Sequence, residues 1–197
     1  MTLEEELGGL LRAVGLGSRQ REAVARRLGW DGGAPATLAV AAETVGYTRE
    51  RVRQLEERVE KAVPAMQPSL PLTKAAVGVV GEVAPASRDE AAAALAERGI
   101  SERPFDPEGI LSAARLAGIA VDVVARPRAV LRGTDVVLEP VVAQVAKSLV
   151  SRDGAATADA VAKTTGMSRR RVRRLLELGH EVTWLDCGGG WFTVLPV

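Results

Sequence analysis

Apolar positions recur at helical spacing along most of the chain, and the runs are separated by Gly, Pro or a capping Ser or Thr. The clearest interruption lies in TLAVAAETVGYTRERVRQLEERVEKAV, Thr37 to Val63. Leu38, Ala41, Ala42 and Val45 share one face, Val52, Leu55, Val59 and Val63 share the next, and Gly46-Tyr47 stands between them. Glycine tolerates the left-handed backbone that ends a helix, Thr48 can cap the following helix through its hydroxyl, and Thr37 is placed to cap the earlier one. The pattern predicts a helix-turn-helix whose second helix runs about 16 residues, roughly 24 Å, and stops near Pro64.

Upstream, Thr2-Leu-Glu-Glu reads as a capping box that opens a packing helix reaching Val14, with Leu3, Leu7, Leu10 and Leu11 on one side and Gly8-Gly9 weakening its middle. Ser18 is expected to cap a second helix that turns Ala23, Val24 and Leu28 inward. Its Arg19, Arg21, Arg26 and Arg27 face out, either onto phosphate or into water. Gly29 to Pro35 is a loop by composition, and Trp30 at its start reads as a core plug.

Pro64, Pro68 and Pro71 punctuate a linker. After it, Leu72 to Val83, Glu90 to Arg98 and Glu108 to Ala117 have helical character, with a second capping box at Ser87 to Glu90 and Asp106-Pro107 opening the third helix. IAVDVVA and AVLRGTDVVLEP alternate and are expected to be β-like. Three helices followed by a hairpin is the order of a winged helix. The third helix offers only Arg115 as a cation, which favours a spacer or protein-binding module over groove reading.

The last part of the chain repeats its opening theme. A shift of 120 places sets TLAVAAETVGYTRERVRQL against TADAVAKTTGMSRRRVRRL without a gap, and nine of nineteen positions are identical, Gly46/Gly166 and Val52/Val172 among them. Ser168 takes the place of the capping Thr48, Val161, Val172, Leu175 and Leu176 supply the apolar face, and Val141 to Val150 is the expected preceding helix. EVTWLDCGGGWFTVLP then alternates about its glycines and reads as a hairpin wing.

The two copies differ on their outward faces. With the valines and leucines turned in, the first presents Arg49, Glu50, Arg53, Gln54 and Glu57. These are base-reading types: Arg can fork onto guanine, Gln can pair with adenine, and Glu can accept from the cytosine amino group, whereas a helix serving phosphate alone has little use for the acid. The second presents Arg169, Arg170, Arg171, Arg173 and Arg174 with no acid before Glu177, which suits backbone phosphate, strong in affinity and weak in sequence choice.

The stretch DGGAPATLAVAAETVGYTRERVRQLEERVEKAV, with REAVARRLGW before it, closely resembles region 4 of the sigma-70 family of transcription initiation factors. The shared signature is a Gly-rich loop, a Thr-Leu helix start and the Thr48-Arg-Glu-Arg-Val-Arg-Gln54 run, over about Ser18 to Val63. The resemblance implies a recognition helix for a promoter −35 element, with Arg49, Glu50 and Gln54 on bases and Arg51 and Arg53 on the backbone, and docking on the β flap of RNA polymerase. The capping hydroxyls Thr37 and Thr48 are taken as further backbone contacts. Ala36, Ala39 and Val40 depart from the family pattern, where charged residues are usual.

Composition narrows the picture. Aromatics make up 3% of the chain, too few for the aromatic-rich domain with which a complete sigma factor melts a promoter. Net charge is +1, so attraction to nucleic acid must be local. One cysteine, Cys187, and one histidine, His180, leave no constellation for a cofactor, metal or enzyme; an inert thiol and a helix-end imidazole are the expected roles. Trp184, Trp191 and Phe192 are expected to hold the wing to its helices. Without a long apolar run or a signal pattern, a cytoplasmic, nucleoid-associated protein with no membrane partner is expected.

The expected fold is mainly α: a sigma region 4-like helix-turn-helix followed by two small winged-helix-like α+β domains. The boundaries fall at 1–66, a linker 67–71, a middle domain 72–139 and a C-terminal domain 140–197. Two functions compete, a sequence-specific regulator of transcription on double-stranded DNA and an RNA polymerase-binding adaptor that reads no sequence. Neither the target site nor the oligomeric state is expected from these residues.

Overall fold

Capping side chains and apolar periodicity set the elements, and the computed structural model, which describes residues 1–179, 182–185 and 189–194, shows how they join. Four helices come first: α1 (Leu3–Ala13), α2 (Ser18–Leu28), α3 (Leu38–Val45) and α4 (Arg49–Met66). α1 starts at the Thr2/Glu5 capping box, and its Gly8-Gly9 does not interrupt it. Ser18 is not the cap of α2 but its first residue; Gly17 holds the cap position, and its N–H donates to Gln20 Oε1 at 3.1 Å. The short glycine N–H needed an acceptor, and Gln20 supplies it from the first turn.

Ala23, Ala41, Ala42 and Val52 form a small core of their own beneath α3. Small side chains there let α2, α3 and α4 approach closely. α4 extends two residues past Pro64 before Gln67 ends it in left-handed backbone. Proline removes one helical hydrogen bond, and in the last turn little ladder remains to lose.

Two units of one topology follow. The first is α5 (Pro71–Val83), β1 (Ala86–Ser87), α6 (Arg88–Glu97), α7 (Pro107–Leu116), β2 (Val123–Ala125) and β3 (Ala129–Arg132). The second is α8 (Gly133–Asp153), β4 (Ala156–Thr157), α9 (Ala158–Thr165), α10 (Arg169–Gly179), β5 (Val182–Trp184) and β6 (Trp191–Val194). Each forms an antiparallel three-stranded sheet in which the last strand lies in the middle, β1-β3-β2 and β4-β6-β5. The chain is therefore mainly helical, with a helix-turn-helix head and two winged-helix-like units. Across the second sheet Trp184 stands opposite Phe192, edge to face at 5.5 Å between ring centroids.

The alternating run AVLRGTDVVLEP is strand only through Arg132; from Gly133 it is the start of α8. Val136 and Val137 made it look extended, but tertiary anchoring decides. Asp135, in the first turn where a negative charge meets the positive helix end, is 1% exposed and held by Arg171.

One buried cluster runs from Leu3 to Val130 and joins α1, α2 and α4 to the first winged unit; a second holds the other unit together and joins it to Ala129 and Leu131 of β3. Two joints lock the head to the first unit. The Glu6 carboxylate accepts from the backbone N–H groups of Leu72 and Thr73 at 2.9 and 2.8 Å, and from the Thr73 hydroxyl at 2.6 Å. Glu6 thus caps α5, whose own cap residue, Leu70, has no side-chain acceptor. At the second joint α7 lies against the loop after α2. Trp30 is buried and donates its indole N–H to Ser112 Oγ at 3.1 Å, and Phe105 is buried close to Gly32. Gly109 comes so near the Gly29 carbonyl that a Cβ would collide with it.

Candidate nucleic-acid interface

The turn between α3 and α4 is built by side chains close in sequence. Thr37 accepts from Val40 N–H at 3.3 Å, Gly46 adopts φ +69°, and Thr48 accepts from Arg51 N–H at 3.1 Å. In each case the hydroxyl proton stays available to a phosphate. The second copy reproduces the set. Thr157 accepts from Ala160 N–H at 3.2 Å, Gly166 has φ +70°, and Ser168 accepts from Arg171 N–H at 3.4 Å. Even the hydroxyl bonds inside the first helix of each pair recur, Thr44 to the Val40 carbonyl and Thr164 to the Ala160 carbonyl, both at 2.9 Å.

Val52, Leu55, Val59 and Val63 are buried, so α4 turns Arg49, Glu50, Arg51, Arg53 and Gln54 to solvent. Arg49 and Arg51 make no ion pair among the described residues. The others are occupied along the helix. Arg53 donates to both Glu50 oxygens, at 2.8 and 2.7 Å, and pairs with Glu57, while Gln54 donates to Glu50 at 3.1 Å. These bonds, from Arg53 first and Gln54 second, pull the Glu50 carboxyl down to about 2. Glu50 is therefore an ionised acceptor at and well below neutral pH, and it and its partners are exposed.

Behind this face, Arg27 is not a free surface cation. It donates to Glu56 at 3.0 Å and to the Ala36 carbonyl at 2.9 Å, tying α2, α4 and the intervening loop. Arg26 pairs with Asp31, and Arg21 donates to the Leu16 carbonyl. Of the four outward arginines of α2, Arg19 alone has no such bond among the described residues.

The arginines of α10 divide in a way their spacing does not reveal. Arg169 pairs with Asp159 at 3.2 Å, and Arg173 pairs with Glu177 at 2.9 Å and lies 5.2 Å from the Trp184 ring centre. Arg171 donates to the buried Asp135 at 2.7 Å and to Thr134 at 3.1 Å. Arg174 crosses to the preceding unit, donating to the Pro85 carbonyl at 3.1 Å and pairing with Glu90. Arg170 is exposed and makes no ion pair among the described residues. Asp135 and Glu90 are not among the site residues the sequence suggests: the alternation of AVLRGTDVVLEP hides the helix that Asp135 opens, and Glu90 reads as part of its own capping box.

α7, the positional counterpart of α10 in the first winged unit, is turned inward: Pro107, Gly109, Ile110, Leu111, Ala113 and Ala114 are all buried. His180 and Cys187 lie outside the described residues, as does part of the wing turn. Among the described residues no group of His, Cys, Asp and Glu side chains is placed to hold a metal ion, and no helix is long and apolar enough to cross a membrane.

No curated protein and no solved structure matches the chain. The family model for Sigma-70, region 4, matches residues 14–62, from the end of α1 through most of α4. That segment is similar to a region 4 helix-turn-helix, and the likeness covers the head of the chain alone.

Proposed function

We propose that the chain is a sequence-specific, double-stranded DNA-binding regulator of transcription whose head reads bases through α4. The observation that carries this reading is the solvent-facing set Arg49, Glu50, Arg53 and Gln54, held on a capped helix within a region 4 match. Mixed donors and acceptors on one helix end are what base edges require. Arg51, with the hydroxyls of Thr37 and Thr48, contacts the backbone and fixes the register.

The second contact is made by α10. Arg169, Arg170 and Arg173 are its exposed members and meet phosphate, Arg169 and Arg173 by giving up their exposed pairs with Asp159 and Glu177. Arg171 and Arg174 join them only after exchanging Asp135 and Glu90 for DNA oxygens. The head's likeness to region 4 also supports docking on the β flap of RNA polymerase, and polymerase binding without base preference is the competing reading.

The test is duplex selection from a random library, followed by binding isotherms for Glu50→Ala and Gln54→Ala. A motif recovered by the wild type and degraded at separate positions in the two variants supports the reading. Polymerase capture with no recovered motif would replace it with the adaptor.

A further inference from the structure

Between α10 and the first winged unit lies a groove of about 900 Å³, within the range of small-molecule sites. It is lined by the end of α5 with β1, the first turn of α6 and Arg132 of β3, and by α10 from Ser168 to Glu177. The start of α8, with Thr134 and Asp135, completes the lining.

Charge at this groove is unevenly matched. Each of its four carboxylates is already engaged: Glu82 by Arg98, Glu90 by Arg174, Asp135 by Arg171, and Glu177 by Arg173 and Arg174. Two guanidinium groups have no acid among the described residues. Among the described residues Arg132 donates only to the carbonyl oxygens of Gly81 and Glu82, at 2.9 and 3.3 Å, and Arg170 is exposed with no acceptor. They come from different elements, Arg132 from β3 and Arg170 from α10, and both line the groove. Guanidinium forks bind phosphate oxygens with directed, charge-assisted hydrogen bonds, and two uncompensated charges call for a ligand of at least two negative charges. The Arg174 bonds to Glu90 and Pro85 hold the first unit against α10 along this groove.

We propose that this groove binds a small soluble phosphate compound, a diphosphate or longer, gripped by Arg132 of β3 and Arg170 of α10. Such a ligand bridges the two winged units and holds α10 against its neighbour. The proposal stands independently of whether the head reads DNA.

The experiment is calorimetric titration of the full chain with inorganic pyrophosphate at fixed ionic strength, beside titration with a short duplex. Saturable binding at one site is expected, weakened about tenfold or more by Arg170→Ala or Arg132→Ala, as loss of one charge-assisted contact implies. Arg49→Ala should leave it unchanged. Arg170 makes no ion pair or side-chain hydrogen bond among the described residues, and Arg132→Lys, which keeps the charge and removes the fork, guards against a folding artefact at β3. Arg132→Ala should also leave duplex affinity as it was. Absence of saturation overturns the proposal, and so does equal weakening by Arg49→Ala, which would reveal diffuse attraction. Loss of duplex binding on Arg132→Ala in step with pyrophosphate would assign the groove to DNA phosphates instead.

Discussion

Glu50 is engaged within its own helix, through Arg53 and Gln54. Exposed bonds of this kind are weak against water and exchange readily. Because its carboxyl is held near 2, below the ordinary value of 4.5, the interaction is complete above the unfolded value and is lost only as pH falls toward the folded one. Base preference at the position read by Glu50 should therefore stay constant from pH 5 to pH 8; a preference that changed in that window would mean another group reads the base. Gln54→Ala and Arg49→Ala should each cost about 1–3 kcal/mol and relax choice at one base pair. Arg51→Ala should instead weaken all sequences alike and lower the salt slope by nearly one unit, as seen in binding isotherms across a salt series. Arg49, Glu50, Gln54 and the caps were legible in the sequence, since their spacing and residue types report helix face and turn. The partners of Arg171 and Arg174 were not. Both come from positions 36 and 84 residues away, and no local pattern encodes such a meeting.

At the scale of elements, the repeated turn shows what local chemistry can specify by itself. Gly46 and Gly166, Thr48 and Ser168, and the two buried valines suffice to build the same corner in different surroundings, one without a sheet and one beside β4. Gly166→Val should destabilise the second corner by about 1–2 kcal/mol, since a β-branched residue is strained at positive φ. The measurement is urea denaturation, and an unchanged midpoint would show that the corner is held from outside. Elements were misjudged where distant contacts outweighed local preference. Gly133 to Pro140 alternates like a strand, yet Asp135 under Arg171 and Val142 in the core commit it to α8. α4 likewise outlasts Pro64, because its core contact at Val63 is made before the proline interrupts the ladder.

Across the whole molecule, the head and the first winged unit share one buried cluster, while the second unit is built around another that also takes in Ala129 and Leu131 of β3. We propose that the boundaries at 66 and 71 separate surfaces with different tasks although the core beneath them is continuous. Glu6 is the test residue, since its carboxylate lies in one segment and the helix it caps lies in the next. Glu6→Ala should cost about 2 kcal/mol or more, from the lost cap and from buried amides left without an acceptor. Hydrogen exchange should then quicken at Val24 and at Leu95 together. Acceleration at Leu95 alone would show that the two parts open separately. None of this long-range capping could be read from the sequence, where Glu6 is one of three successive acids in a first turn.

The meeting of Gly29 and Gly109 has a mechanical meaning. Where two elements touch through side chains, rotamers can give way and absorb a small rotation; here main chain rests on main chain, with nothing compliant between. A tilt imposed on the first winged unit would therefore reach the end of α2 through main chain alone, so Gly109→Ala is expected to shift the two parts against each other.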